Sequence, residues 1–305
     1  MTRVLVTGGS GFVGSPTLAD LVRRGHDVHA LSRSADPPLI EGVSWHRADL
    51  ADAGGIDALI GALEPEELLH LAWYVEHGLF WEAPENVACV EQSLALLRSF
   101  AARGGTRVVM LGSCAEYDWT LEQRQFDELS SPLRPATLYG VAKDALHRVG
   151  GCYAQRRGIE FAWARLFFLY GPGESPRRLV PAVIRALLAG EPAEIGSGVQ
   201  VRDFLHVDDV AGALGALLES SVVGAVNIAS GEPRSLGEVV DELGRLTARG
   251  DLIRKGARVD RPDDPARIVA AAQRLRDEVG FTPRWSLSDG LEDTLRWWSQ
   301  QQPSG

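Results

Sequence analysis

Cysteine is scarce in this 305-residue chain. Cys89, Cys114 and Cys152 are the only three, far apart and without the paired spacing of a metal ligand set. That excludes a disulfide framework and a metal site of the zinc type, and it suits a reducing compartment. Positive charge is also short. The net charge is −10, so neither nucleic acid nor an anionic membrane is the expected partner. No apolar run reaches the roughly 18 residues that a membrane-spanning helix needs. A strand-like run begins at Arg3, which leaves no room for a signal peptide, so a cytoplasmic protein is expected. Internal repeats and low-complexity segments are absent as well. What is present is ordinary for a folded protein, with 45% hydrophobic and 24% charged residues. The length allows a full core in one or two domains.

Arg3-Val-Leu-Val-Thr7 is a short apolar run that reads as a buried strand. Thr7-Gly-Gly-Ser-Gly-Phe-Val-Gly14 follows at once, and apolar periodicity over 12–22 predicts a helix. Strand, glycine turn and helix in that order point to a dinucleotide site. Glycines allow the tight turn and let backbone amides approach a pyrophosphate at the helix N-terminus. Thr7, Gly8, Gly11, Phe12, Val13 and Gly14 are the candidate contacts. The second strand, over 28–31, ends in Ser32-Arg33 rather than in the acid that would bind the adenosine ribose of NAD. An arginine there suits the 2′-phosphate of NADP. A solvated Arg33, with Asp36 reaching the ribose of NAD, is the alternative. Asp49 and Leu50 stand where a third strand would end and would touch the adenine.

Tyr139 and Lys143 are four residues apart, which on a helix places them on one face, one turn apart. An ammonium beside a phenol favours the phenolate, so the phenol pKa is expected to fall from about 10. A tyrosine tuned that way hands a proton to a carbonyl oxygen, or takes one from an alcohol, near neutral pH. Next to a hydride carrier, that is the equipment for oxidoreduction of an alcohol or ketone.

With these residues in hand, the chain resembles the extended short-chain dehydrogenase/reductases, in the branch that acts on nucleotide-diphosphate sugars. The resemblance runs along nearly the whole length. It rests on the 7–14 glycine loop, Asp49-Leu50, and His70-Leu-Ala-Trp73 where the family often has His-Leu-Ala-Ala. Asn86 opening a helix, Ser113 four residues before Tyr117, and Tyr139-x3-Lys143 add to it. Arg165-x4-Tyr-Gly-Pro-Gly173, Arg202-Asp-Phe-Leu-His-Val-Asp-Asp209, Val226-Asn-Ile-Ala-Ser-Gly-Glu232 and Arg261-Pro-x-Asp-Pro265 complete it. The resemblance implies that Ser113 hydrogen-bonds the reacting sugar oxygen and that Tyr139 is the acid/base. It implies that Lys143 holds the nicotinamide ribose, with Leu71, Ala72 and Trp73 along the cofactor. Arg202 and Arg261 match arginines that grip the substrate diphosphate; Arg177 and Arg178 are further basic candidates. A homodimer is the family's expectation.

The departures matter most for the reaction. The family's 4,6-dehydratases carry Asp-Glu after the Ser/Thr, whereas Cys114-Ala115 stand here. Neither replaces an acid/base pair, and with no histidine nearby in sequence Cys114 reads as packed. Phe168 replaces an asparagine that usually contacts the nucleotide-sugar, so substrate binding must differ there. Trp73 enlarges the wall near the cofactor, and the aromatic loop 73–81 is expected to shape the sugar pocket. Two reactions use the same residues. One is NADPH-dependent reduction of a nucleotide-linked 4-keto-6-deoxy sugar at C4. The other is 4-epimerisation with tightly held NAD. Ser32-Arg33 and the missing acids point to the reductase. A non-catalytic NADP-binding sensor would not need the retained Ser113, Tyr139 and Lys143.

Strands are expected at Arg3–Thr7, 28–31, 43–45, 68–71, 107–111 and Glu160–Leu166, alternating with helices as in a parallel sheet covered on both faces. Helices are expected at 86–102, with Val87, Val90, Leu94 and Leu97 on its buried stripe, and at 138–157. Beyond Gly173 come helices at 178–189, 207–218, 236–248, 270–279 and 287–298, and strands at 202–206 and 225–228. One of Asp208 and Asp209 is expected to cap the helix that starts there. A polar tail over 300–305 should fray. The fold class is therefore α/β: a Rossmann doubly wound parallel sheet over 1–166, with a smaller C-terminal α/β substrate-binding domain over 167–305. Segments near 202–230 are expected to return to the first half.

Overall fold

The computed structural model describes residues 1–121 and 125–301. The first part alternates β1 (Arg3–Thr7), α1 (Gly14–Arg23), β2 (Asp27–Ser32), β3 (Val43–Arg47), α2 (Ala53–Leu63), β4 (Glu67–His70), α3 (Glu85–Ala102), β5 (Arg107–Ser113), α4 (Leu138–Arg156) and β6 (Glu160–Leu166). Then follow β7 (Phe168–Tyr170), α5 (Leu179–Ala189), β8 (Ala193–Glu194), β9 (Val201–His206), α6 (Val207–Glu219) and β10 (Gly224–Ile228). The last elements are β11 (Pro233–Ser235), α7 (Leu236–Leu246), β12 (Ile253–Arg254), β13 (Arg267–Ile268), α8 (Gln273–Asp277) and α9 (Leu287–Gln300).

Seven strands form one parallel sheet in the order β10-β6-β5-β4-β1-β2-β3. Its strands are apolar on both faces because helices cover both. Val4 and Val6 of β1, Val109 and Leu111 of β5, and Ala162 and Ala164 of β6 face α1 and α6. Their neighbours Leu5, Val108, Met110, Phe161 and Trp163 face α2, α3 and α4. Successive side chains alternate faces, so one run of three or four apolar residues feeds two cores. Arg107 ties the two parts together: its guanidinium donates to the carbonyls of Leu217 and Leu218 at 2.6 Å each, closing the C-terminal end of α6.

The remaining strands make a small sheet in which β9 pairs with β11, β13 and β7, while β12 pairs with β8. A third core lies among α5, α7 and α9, built on Ile184, Leu187, Val240, Leu243 and Leu291. No helix among the described residues is long and apolar enough to cross a membrane.

Four expectations need correction. The buried seam of α3 is Asn86, Ser93, Leu96, Leu97 and Phe100, and Val87 is exposed, because the helix presents that seam to β4 and α4. The helix expected over 270–279 begins only at Gln273. Ala270 and Ala271 are extended: Ala270 N–H donates to the Asp203 carboxylate and Ala271 N–H to the Phe126 carbonyl. Neither Asp208 nor Asp209 caps α6. His206 does, while fully buried Asp209 accepts the backbone amides of Arg284 and Trp285. The helix expected to end at 298 runs on to Gln300, and the tail expected to fray falls at 302–305 outside the described residues.

Candidate active site

The glycine loop leaves β1 at Thr7 and enters α1 at Gly14. Gly11 N–H donates to the Gly8 carbonyl at 3.1 Å and tightens the turn. Gly14 has no room for a side chain: a Cβ there would lie 2.1 Å from the Gly8 carbonyl oxygen. Val13 provides no side-chain cap, and the first turn of α1 holds no acidic residue. The helix therefore presents a positive dipole end with no side-chain cap and no competing anion, which fits a dinucleotide pyrophosphate. Phe12 borders the loop, and its ring would lie 4.0 Å from a Cβ placed on Gly173 of the second part.

The wall beside this loop is held by a histidine. Thr7 Oγ1 is 2.7 Å from His70 Nδ1, and His70 Nε2 is 2.7 Å from Ser93 Oγ on α3. Ala72 N–H donates back to Thr7 Oγ1 at 3.2 Å, which fixes Leu71 and Ala72 along the glycine loop. Burial pushes His70 down to about 3, so this bridge is a neutral ring. At the far end of β2, Ser32 is buried and accepts Ser34 N–H at 3.1 Å. Arg33 and Asp36 are both exposed, and Arg33 pairs with no carboxylate among the described residues. Asp49 is exposed and accepts Ala51 N–H at 3.0 Å, and Leu50 leans on the core.

Ser113 ends β5 and plays two parts. Its Oγ accepts Ala115 N–H at 3.2 Å, and its own N–H donates to Glu116 Oε1 at 2.7 Å, a reciprocal cap on the short helix Cys114–Glu116. Its side chain also faces the phenol of Tyr139 and favours the phenolate. Tyr139 is on the first turn of α4, whose Thr137 cap accepts Gly140 N–H at 3.2 Å. Gly140 lets α4 settle on the Ser113 turn: a Cβ would come within 2.4 Å of the Ala115 carbonyl oxygen. Lys143 follows one turn later, 3% exposed, with Nζ donating to the Leu111 carbonyl at 2.7 Å. Three of the expected residues are thus brought to one spot at the C-terminal edge of the sheet.

The expected fall in the phenol pKa is not met in the chain by itself. Burial pushes the Tyr139 phenol up, and the neighbouring Ser113 hydroxyl only opposes it. Lys143 Nζ stands 6.0 Å from the Tyr139 ring centroid and only 3.6 Å from the centroid of Trp73. Burial also pushes Lys143 down to about 7. Phe80 and Trp81 meet the Tyr139 ring edge-on, with centroids 4.9 and 5.8 Å away. The aromatic loop therefore walls in the phenol. Cys114 is packed, as expected; burial pushes its thiol up to about 12.

The arginines divide. Arg202 is not open to solvent. Nη1 donates to the carbonyls of Val201 and Pro265, at 2.9 and 2.8 Å, and Nη2 pairs with Asp264 at 2.7 Å. Its guanidinium lies 5.3 Å from the Phe168 ring centroid, so Phe168 packs against it where an asparagine was the family pattern. Arg261 is exposed. Arg177 pairs with Glu76 of the aromatic loop, and Arg178, the residue before α5, pairs with Glu174 at 3.2 Å. The charges of Arg178, Arg177 and Arg261 all weigh on His77, which burial already pushes down. Three of the four arginines therefore gather near one loop.

Glu116, Asp144 and His147 converge in the manner of metal ligands. A cation is already there: Arg165 Nε donates to Glu116 Oε2 at 2.7 Å and Nη2 lies 3.4 Å from His147 Nδ1. Trp163 Nε1 takes the remaining capacity of the Glu116 carboxylate. The His70 bridge, the Gly140 contact and the Arg165–Glu116 pair went unassigned in the sequence, although each falls inside or beside a quoted motif.

Residues 4–229 match the model of the NAD dependent epimerase/dehydratase family. The chain belongs to that family. Relatives within the epimerase/dehydratase family carry different reactions. A dTDP-glucose 4,6-dehydratase of Streptomyces griseus is 29% identical over 319 residues, 99% of this chain and 95% of the relative. A dTDP-4-dehydro-6-deoxy-D-allose reductase of Streptomyces bikiniensis is 30% identical over 329 residues, 96% of this chain and 95% of the relative. Among solved structures, the UDP-glucose 4-epimerase of Thermus thermophilus in complex with NAD has a TM-score of 0.87 at 27% identity. That match covers 99% of this chain and all of the other. This epimerase/dehydratase-family chain is an enzyme of the extended short-chain dehydrogenase/reductases that handle nucleotide sugars.

Proposed function

We propose that the protein reduces a nucleotide-diphosphate 4-keto-6-deoxy sugar at C4, with NADPH as reductant. The observation that carries this reading is Ser113 facing the phenol of Tyr139 with Lys143 one turn on, next to Cys114-Ala115 instead of two acids. A bound NADPH would supply the hydride that reaches C4. Ser113 orients the ketone oxygen, and Tyr139 gives that oxygen its proton, so the carbonyl becomes a hydroxyl. Lys143 holds the nicotinamide ribose, and its charge then supports the phenolate left behind. A dehydratase must also move protons at the neighbouring carbons. Buried Cys114, with its thiol pushed up to about 12, and Ala115 are unsuited to that.

Arg33 supports NADP: it is exposed at the end of β2 with no carboxylate partner among the described residues. Arg261, Arg177 and Arg178, whose charges converge on His77, support a diphosphate grip. Exposed Val87, Val141 and Val149 on α3 and α4 support a homodimer through these helices.

The likeness to an NAD-bound 4-epimerase favours a second reading, in which the same residues oxidise and re-reduce C4 with retained NAD. Mass spectrometry of the nucleotide released on denaturing the freshly purified protein separates the two. An empty site or weakly held NADP supports the reductase; stoichiometric NAD overturns it. Consumption of NADPH on adding a nucleotide-linked 4-keto-6-deoxy sugar is the direct assay.

A further inference from the structure

Lysine is almost missing from this chain: Lys143 and Lys255 are the only two. Lys143 is nearly buried, and among the described residues no carboxylate pairs with it. Its ammonium has two contacts in place of a counter-ion, the Leu111 carbonyl at 2.7 Å and the face of Trp73 at 3.6 Å. The indole is fixed. Its Nε1 donates to Asn86 Oδ1 at 2.8 Å, and Asn86 Nδ2 donates to the carbonyls of Phe80 and Ala83 at 2.7 and 2.9 Å. Asn86 is wholly buried at the start of α3, so the ring is anchored to a helix end. The same ring meets Tyr139 edge-on at 6.4 Å.

We propose that Trp73, locked by Asn86, is a positioning residue that seats the Lys143 ammonium by a cation–π contact and keeps it charged beside Tyr139. An aromatic face attracts an ammonium most strongly where water is excluded. The titratable neighbours leave that task to the indole. Glu116, on the turn after β5, is committed to Arg165. Cys89 on α3 and Tyr139 on α4 are pushed up by burial and stay neutral, and His70 on β4 is a neutral ring. Burial works against the charge on Lys143 itself. An alanine at position 73, the pattern of the resembling family, would offer no π face.

What the seated charge does for the reaction rests on the assignment of Lys143 to the cofactor ribose, but the test does not. Lysine carrying 13C at the ε carbon would give two side-chain signals, with Lys255, part-exposed and paired with Asp241, as the internal control. The Lys143 ε protons should lie upfield of those of Lys255, in the ring current of Trp73. Trp73→Leu keeps apolar bulk without the π face. It should abolish the upfield shift and lower the Lys143 titration midpoint by about one unit. Trp73→Phe should fall between. An unshifted Lys143 signal in the wild type, or an unchanged midpoint in the leucine variant, overturns the proposal. If the leucine variant does not fold, the wild-type shift and the phenylalanine variant decide. A failure of the reductase assay with the NMR shift intact would overturn the proposed reaction and leave this inference standing.

Discussion

Glu116 and Arg165 face one another at 2.7 Å with 0% and 1% of their side-chain surfaces exposed. The carboxylate also accepts Ser113 N–H and Trp163 Nε1, so one buried ion pair underlies the turn that carries Ser113. Arg165→Met strands that carboxylate. It should destabilise the protein by about 3–5 kcal/mol in urea unfolding. Activity at a temperature where the variant remains folded should also drop, because the Ser113 turn loses its support. The double variant Glu116→Leu with Arg165→Met should recover part of the stability without the activity.

Tyr139→Phe removes the phenol oxygen and leaves the ring among Trp73, Phe80 and Trp81. Turnover should fall by about 10²–10⁴-fold, while cofactor affinity by calorimetric titration stays within about twofold of wild type. Surviving turnover would mean that another group supplies the proton.

Gly140→Ala tests the close approach of α4 to the Ser113 turn. The added methyl would meet the Ala115 carbonyl oxygen at 2.4 Å, and backbone cannot rotate out of the way. We expect about 1–3 kcal/mol of destabilisation in urea unfolding, together with reduced turnover, because Tyr139 is the neighbouring residue.

Arg33→Ala should weaken NADPH about 10–100-fold and leave NADH affinity nearly unchanged, since a charge-assisted hydrogen bond to a phosphate contributes about 1.5–3 kcal/mol. Equal losses for both nucleotides would move Arg33 off the 2′-phosphate.

Acid should destabilise the protein through three neutral histidines. Burial pushes His70 down to about 3 and His147 and His206 down to about 4, against 6.5 for a free ring. Unfolding therefore takes up protons between those values and 6.5. Stability rises with pH across that window and is lost as pH falls through it, by roughly 2 kcal/mol per ring at pH 5. Glu174, pushed up to about 7 by burial, acts in the opposite sense, since the folded chain keeps a proton that the unfolded chain releases. Urea midpoints from pH 7 to 5 should fall. His147→Phe, which keeps the stack on Trp163, should flatten the slope by about one proton.

Much of the sheet was legible because its strands are short apolar runs set between helical stretches. Arg3–Thr7 and Glu160–Leu166 match residue for residue. Other features needed the tertiary structure. α2 opens Ala53-Gly54-Gly55, a poor helical start that is made good by Asp52 accepting Gly55 N–H. β7 and β13 are two or three residues long and exist by pairing with β9. At the site, Ser113, Tyr139 and Lys143 were readable from spacing. The fate of Arg202 was not, because Asp264 is 62 residues away in sequence and only folding brings it to the guanidinium. The phenol pKa was misjudged for a related reason. Four-residue spacing says that two side chains share a face, but not that a tryptophan lies under one of them.

β10 pairs with β6 along its whole length, from Gly224 beside Ala162 to Ile228 beside Leu166, yet reaches that place only after β7, α5, β9 and α6. The chain is therefore woven, not concatenated. A single cut after Leu166 would strip β6 of its outer neighbour and leave an open strand edge ready to recruit foreign strands. Grafting the substrate-facing elements onto a relative would need two seams, one on each side of the α6–β10 return, so that this stretch of the framework stays with its own sheet.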